Sequence, residues 1–165
     1  QILSLASSNS VLNSSRARIT VYRNDGGFYL PQTNEISFLI HTIAIENALY
    51  SIEKTNYEVD LYKDFYVTKQ LLSSIKTTNR ILNTTASIYA HENGLDNCLL
   101  LNDAKNVVEA IQGNLFMVIG DKLITPPVPE GCLGIQPITK YRKKEFTVNY
   151  SKVLLQKLNE IVSKT

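Results

Sequence analysis

The chain has 165 residues, 44% hydrophobic and 19% charged, with a formal net charge of +2. That is enough for one domain with a sizeable core. The scattered lysines and near-neutral balance exclude an electrostatic case for a nucleic acid or membrane surface as partner, and no stretch reaches the ~18 apolar residues of a membrane span.

In chain order, residues 1–15 read as the end of a helix followed by a Ser/Asn-rich loop. The chain opens at Gln1 rather than Met, without a visible signal peptide, so its true N-terminus is expected upstream. Arg18–Arg23 is β-branched and aromatic and predicts a strand. Asn24-Asp25-Gly26-Gly27 is a turn signal, so Phe28–Leu30 is expected to return as a short hairpin strand ended by Pro31. Ile36–Ile45 predicts a buried strand, 46–58 a loop and Val59–Tyr62 a short strand, while 64–74 is ambiguous. A helix is expected after Thr77, with Thr77 or Thr78 as cap and Gly94 at C′. Strands follow at Leu95–Asn102, Val107–Ala110, Leu115–Ile119 and Lys122–Thr125, with Gly120-Asp121 turning the last pair and Pro126-Pro127 ending it. Residues 148–164 predict an amphipathic helix. Strands dominate and one helix separates two strand groups, which predicts an α+β fold with a mixed or antiparallel sheet and flanking helices.

Several residues invite bland readings. Cys98 lies in an apolar run, where a buried, inert thiol is expected. It and Cys132 make a poor disulfide framework, which suggests a reducing, cytoplasmic setting. His41 and His91 lack metal-ligand spacing, so no metal is expected. The basic cluster Lys140–Lys144 reads as a solvated turn. Asn13-Ser14-Ser15 and Asn83-Thr84-Thr85 match a glycosylation sequon that a cytoplasmic protein leaves unused.

Two residues point further. Lys76 follows the apolar stretch Leu71–Ile75 and precedes a helix. A lysine at the edge of a buried segment loses solvation, its pKa falls, and a neutral amine suits imine formation with an aldehyde. The alternative is a snorkelling surface lysine. Glu109 puts a carboxylate into the apolar run Val107–Ile111. If buried, it needs a partner, and a protonated pyridine nitrogen would serve. The alternative is an outward-facing strand residue.

Both residues belong to a larger pattern. Lys76-Thr77-Thr78-Asn79-Arg80 resembles the K-x-x-N-R/L motif of class IV pyridoxal-phosphate (PLP) enzymes. The segment Ala90 to Asn102 is similar to the family's A-x-E-x-G-x-D-E-x-L-L-L-N stretch. Val107-Val108-Glu109, Gly113-Asn114-Leu115-Phe116 and Thr125-Pro126-Pro127 follow in family order. The blocks cover about residues 76–133, and Arg16–Arg23 resembles the strand that opens the family's large domain.

The resemblance implies a two-domain α/β fold that binds PLP, usually as a homodimer. It implies Lys76 as the catalytic Schiff-base lysine, Glu109 as partner of the pyridinium nitrogen, and Asn114 as a further cofactor-binding residue. Residues 1–15 would be the end of an N-terminal part and linker, and 16–165 the large PLP domain. The family's smaller N-terminal domain, which supplies an arginine to the PLP phosphate, is not represented. Gly131-Cys132-Leu133 and Gly134–Ile138 look like two family segments that normally lie apart, so residues are expected to be missing between 133 and 134. D-amino-acid aminotransferases and aminodeoxychorismate lyases place a basic residue in the hairpin after the first strand. Phe28 is near that position here, Arg18 and Arg23 lie close by, and Arg23 is the candidate substrate-binding residue.

The implied function is transfer of an amino group between an amino acid and a 2-oxo acid. The alternatives are an aminodeoxychorismate lyase and, if the chain is a true fragment, a non-catalytic α+β module.

Overall fold

A computed structural model describes residues 1–11, 14–52, 54–68, 70–126 and 137–163. The chain divides into two compact units, Gln1–Leu49 and Tyr50–Thr165. The expected domain start at residue 16 falls within the first unit. The 133–134 junction, Pro127 and Cys132 lie outside the described residues.

The first unit holds helix α1 (Ile2–Ser8) and strands β1 (Ser15–Arg23) and β2 (Ile36–Ala44). The strands pair antiparallel from Ser15↔Ala44 to Arg23↔Ile36. That register puts Ile19 opposite Ile40 and Val21 opposite Phe38, cross-strand pairs of the kind that hold a sheet together. Asn9 donates to the buried Thr42 hydroxyl at 2.8 Å and ties α1 to β2.

Two expectations fail here. Phe28–Leu30 is not the return strand: the partner of β1 is β2, reached through a loop over 24–35. Gly26 and Gly27 have φ of +131° and +80°, as the turn signal suggests. They fold the chain onto itself instead of launching a strand. The Leu30 carbonyl packs so closely on Gly27 that a Cβ there would lie 1.9 Å from it. The loop closes through the Asn24 N–H to the Glu35 carbonyl at 3.0 Å. The second failure is burial. β2 is a strand, but most of it is exposed, Phe38 by 51%.

The second unit is built on a five-stranded mixed sheet of order β5-β4-β3-β8-β9. Its strands are β3 (Glu58–Leu61), β4 (Asn97–Leu101), β5 (Val107–Ala110), β8 (Lys140–Tyr141) and β9 (Lys144–Glu145). β3 runs parallel to β4 and β8, while β5 and β9 are antiparallel to their neighbours. β6 (Met117–Ile119) and β7 (Lys122–Ile124) form a separate hairpin around Gly120-Asp121. The expected strands at 59–62, 95–102 and 107–110 and the hairpin thus all form.

Helix α2 (Ile81–Glu92) makes the crossover from β3 to β4. It presents small residues, Ala86 and Ala90, to the core, where they meet Cys98 and Leu100 of β4 with Tyr62 and Ile111. The Tyr62 and Tyr89 rings meet edge to face at 5.6 Å. The helix ends as the sequence predicts. Gly94 at φ +67° lets the Leu95 N–H reach the Ala90 carbonyl (2.9 Å) and its own N–H the His91 carbonyl (3.2 Å), a Schellman motif. Its start differs from expectation. Arg80 is the N-cap residue, without a side-chain cap bond, and Thr77 is held in a tight turn by the Ile75 carbonyl at 2.9 Å. That turn is complete before the helix begins, so neither threonine caps it.

Helix α3 (Asn149–Val162) is pinned by Asn159, whose amide exchanges two hydrogen bonds with the Tyr50 backbone at 2.8 and 2.9 Å. The Lys140–Lys144 cluster is the β8–β9 turn, with Arg142 at φ +55°.

Candidate active site

Lys76 lies in the loop between a 3-10 turn (Leu71–Ser74) and α2, and it is exposed. The expectation of a buried apolar run ahead of it is not met. Leu71 is 80% exposed, and Leu72 and Ile75 are exposed as well. A single 3-10 turn spans too few residues to fold a face of its own onto the sheet.

Glu109 sits on β5, half-buried and opposite the fully buried Leu100. A bulge at Leu100/Leu101 ends the regular register beyond this pair. The turn that feeds β5 is organised by Asn102, whose side-chain oxygen accepts the Ala104 and Asn106 N–H groups at 3.0 Å. Such local bonds from an asparagine favour turns over strand.

After β5 the chain reverses sharply. Ala110 and Gly113 bridge antiparallel, with the Ala110 N–H donating to the Gly113 carbonyl at 2.8 Å. The next residues outward from that bridge are Glu109 and Asn114, one on each arm. Two residues that the resemblance implies for the cofactor therefore flank one tight turn. Asn114 is half-buried, like Glu109.

Two residues that the sequence reading passed over secure this turn. The Asn83 amide of α2 donates to the Ile111 carbonyl at 2.7 Å. The Asn97 side-chain oxygen accepts the Ile111 N–H at 3.0 Å and the Cys98 N–H at 2.8 Å, and its amide donates to the Tyr57 hydroxyl at 3.0 Å. The available signal is a departure: Asn97 stands where the family pattern has the Glu of its D-E pair. Asn83 is the asparagine of the second sequon, and the nitrogen that would carry a glycan is the one bonded to Ile111.

Arg23 belongs to the first unit. Its guanidinium donates to the Thr33 carbonyl at 3.1 Å and to the Asn34 side-chain oxygen.

Charges flank β3 in pairs: Lys140 with Glu58 at 2.8 Å, Arg142 with Asp60 at 2.9 Å, and Lys54 with Asp96. Burial alone would raise the Asp96 carboxyl. The Lys54 ammonium and the Glu58 N–H outweigh it and hold Asp96 below the usual carboxylate value. The buried Cys98 thiol is pushed up to about 11, by desolvation first and by the Asp60 carboxylate second. It is the inert thiol expected from its setting. Among the described residues no group of His, Cys, Asp and Glu is placed to hold a metal, and no helix is long and apolar enough to cross a membrane.

Known proteins of similar fold share this architecture. A branched-chain amino acid aminotransferase from Thermobaculum terrenum, solved in its PLP-bound holo form, superimposes with a TM-score of 0.83 at 18% identity. The match covers 98% of this chain and 68% of that one. A branched-chain aminotransferase from Thermoproteus uzoniensis, solved with norvaline, gives 0.76 at 18% identity, covering 90% of this chain and 64% of that one. A protein assigned as a 4-amino-4-deoxychorismate lyase from Legionella pneumophila gives 0.66 at 16% identity, covering 91% and 69%. The chain thus spans about two thirds of the length of these proteins, and at such identities the likeness speaks for the fold alone. No curated protein sequence gives a significant match. The family model for amino-transferase class IV matches residues 1–158, nearly the whole chain. The chain belongs to the class IV aminotransferase family.

Proposed function

We propose that this chain is the cofactor-carrying part of a PLP-dependent transaminase, which moves an amino group between an amino acid and a 2-oxo acid. The observation that carries the reading is the reversal at Ala110–Gly113, whose flanking residues are Glu109 and Asn114. The matching family model and the likeness to a PLP-bound neighbour support it.

The donor set fits the cofactor. Lys76 offers a primary amine, the group that condenses with an aldehyde, a half-buried carboxylate suits a protonated ring nitrogen, and an amide can serve as donor or acceptor beside it. When bound, pyridoxal phosphate supplies an aldehyde and an electron-accepting ring. Lys76 Nζ would hold that aldehyde as an imine, its oxygen leaving as water, and, once released as a free amine, would take the proton at the substrate α-carbon. Glu109 keeps a proton on the ring nitrogen by accepting its hydrogen bond, and the low local dielectric of a half-buried strand strengthens that pairing. Asn114 orients the ring from the opposite arm. Arg23 is the proposed grip on the substrate carboxylate. The active assembly is proposed to be a homodimer in the cytoplasm.

Absorbance of the purified chain titrated with PLP tests this reading. A near-visible band should appear and should vanish in Lys76→Ala, because only a lysine-based covalent bond depends on that amine. A band of equal strength in the variant would remove Lys76 from its role. If the band is there, activity that requires a 2-oxo acid acceptor identifies a transaminase. Release of pyruvate without an acceptor identifies a lyase instead.

A further inference from the structure

The backbone of Ile111 presents a problem that the sheet does not solve alone. Ile111 is buried and lies at the point where β5 has ended and the chain is turning back. A buried backbone N–H and C=O both need partners, and at a reversal the ladder cannot supply them all. The Cys98 carbonyl accepts the Ile111 N–H at 3.1 Å, but side-chain amides complete the set. Asn97 Oδ1, at the head of β4, shares that N–H, and Asn83 Nδ2, near the start of α2, takes the carbonyl. Two elements from opposite ends of the crossover thus clamp the backbone of one residue on both sides. That residue lies two positions after Glu109 and three before Asn114.

The clamp also reaches toward the proposed nucleophile. Asn83 is the third residue of α2, and the Lys76 loop runs directly into that helix. One 2.7 Å hydrogen bond therefore links the exit of the lysine loop to the turn that carries the carboxylate and the amide.

We propose that Asn83 is a positioning residue for the cofactor site. It holds the Ile111 turn so that Glu109 and Asn114 meet the ring in a fixed relation to Lys76, with Asn97 as its counterpart on the N–H side. The proposal rests on the PLP reading above. It adds a residue outside the quoted motif, and it gives a use for the amide of an asparagine at a half-buried helix position.

The test compares three chains: wild type, Asn83→Ala and Asn93→Ala. Asn93 is the control, because its amide makes a similar bond, to the Tyr89 carbonyl at 2.8 Å, at the far end of the same helix. Each is titrated with PLP, and the pH midpoint of the bound absorbance band is recorded beside thermal stability without PLP. Both variants should unfold a few degrees lower. Only Asn83→Ala should also weaken PLP binding, by about tenfold, the scale on which outer partners affect bound groups at metal sites, and shift the pH midpoint of the band, which follows the imine nitrogen and senses the ring charge that Glu109 would hold.

Should Asn83→Ala fail to fold, Asn83→Asp replaces it. Its carboxylate repels the Ile111 carbonyl, while its protonated form can donate to it, so PLP affinity relative to wild type should recover as pH falls. A wild-type band that stays unchanged in affinity and midpoint in Asn83→Ala, or an Asn83→Asp chain without pH recovery, overturns the positioning role alone. Absence of a Lys76-dependent band in wild type overturns the functional reading, and the positioning role with it.

Discussion

β4 and β2 are both apolar strands, yet their surroundings differ. β4 has hydrogen-bonded neighbours on both edges and packs against α2, and all five of its residues are buried. Among the described residues β2 pairs with β1 alone, and one of its nine residues is buried. Apolar composition makes a strand in both places. Burial is decided by how many layers and edges the rest of the chain brings to it, and that is a property of topology.

The contrast can be broken with one pair of variants. Leu100→Ala removes a fully buried side chain from the centre of the core and should cost about 2–5 kcal/mol in urea unfolding. Phe38→Ala, in β2, should cost a small fraction of that, because the ring is already half in water. Equal losses would mean that β2 is covered in solution.

A smaller effect sharpens the same point at the entrance to β4. Gly94→Ala meets open space, since nothing lies within 4 Å of a Cβ there, yet φ is +67°. The left-handed backbone alone should cost about 1–2 kcal/mol, read as a lower thermal midpoint with no change in the folded spectrum. A variant as stable as wild type would show that the helix does not need its Schellman end to hand the chain to β4.

The smallest effect is electrostatic. Asp96, just before β4, has a carboxyl held below its ordinary value of 3.8 when folded. The unfolded chain therefore takes up the proton more readily. The stability this contributes is present above the ordinary value and is lost as pH falls through the lower folded value. Asp96→Asn should flatten that acid limb of the urea midpoint, modestly, because Lys54 is largely exposed and solvent screens the pair. An unchanged acid limb would assign it to other groups.

What the sequence made legible follows from range. β5, the Gly120-Asp121 hairpin and the Gly94 helix end depend on residues within a few positions of one another, and all form as expected. The Asn24–Gly27 turn chemistry is legible in the sequence, but its consequence is not. Glycine geometry permits a reversal without saying how soon a strand must follow, and the Leu30 carbonyl against Gly27 settled it. At the site, the motif residues Lys76, Glu109 and Asn114 were visible as residue types in order. The clamp on Ile111 was not, because its partners stand 28 and 14 residues away and an asparagine's spacing carries no periodic signal. The surroundings of Lys76 were misread for the same reason that β2 was: an apolar run was equated with a covered one.

The central position of β3 has a consequence for how the protein is made. Its two neighbours come from β4, 38 residues along by the Val59↔Asn97 pair, and from β8, 82 residues along by the Glu58↔Lys140 pair. Both pairings are parallel, so neither can begin as a local hairpin, and loop closure must come before either is rewarded. During synthesis β3 and β4 can dock through α2 while β8 is still unmade. Until the chain has passed Tyr141, one edge of β3 remains an open template for another strand. Folding of this unit should therefore be slow and sensitive to concentration in its last step, with closure by β8 as the event that ends the exposure.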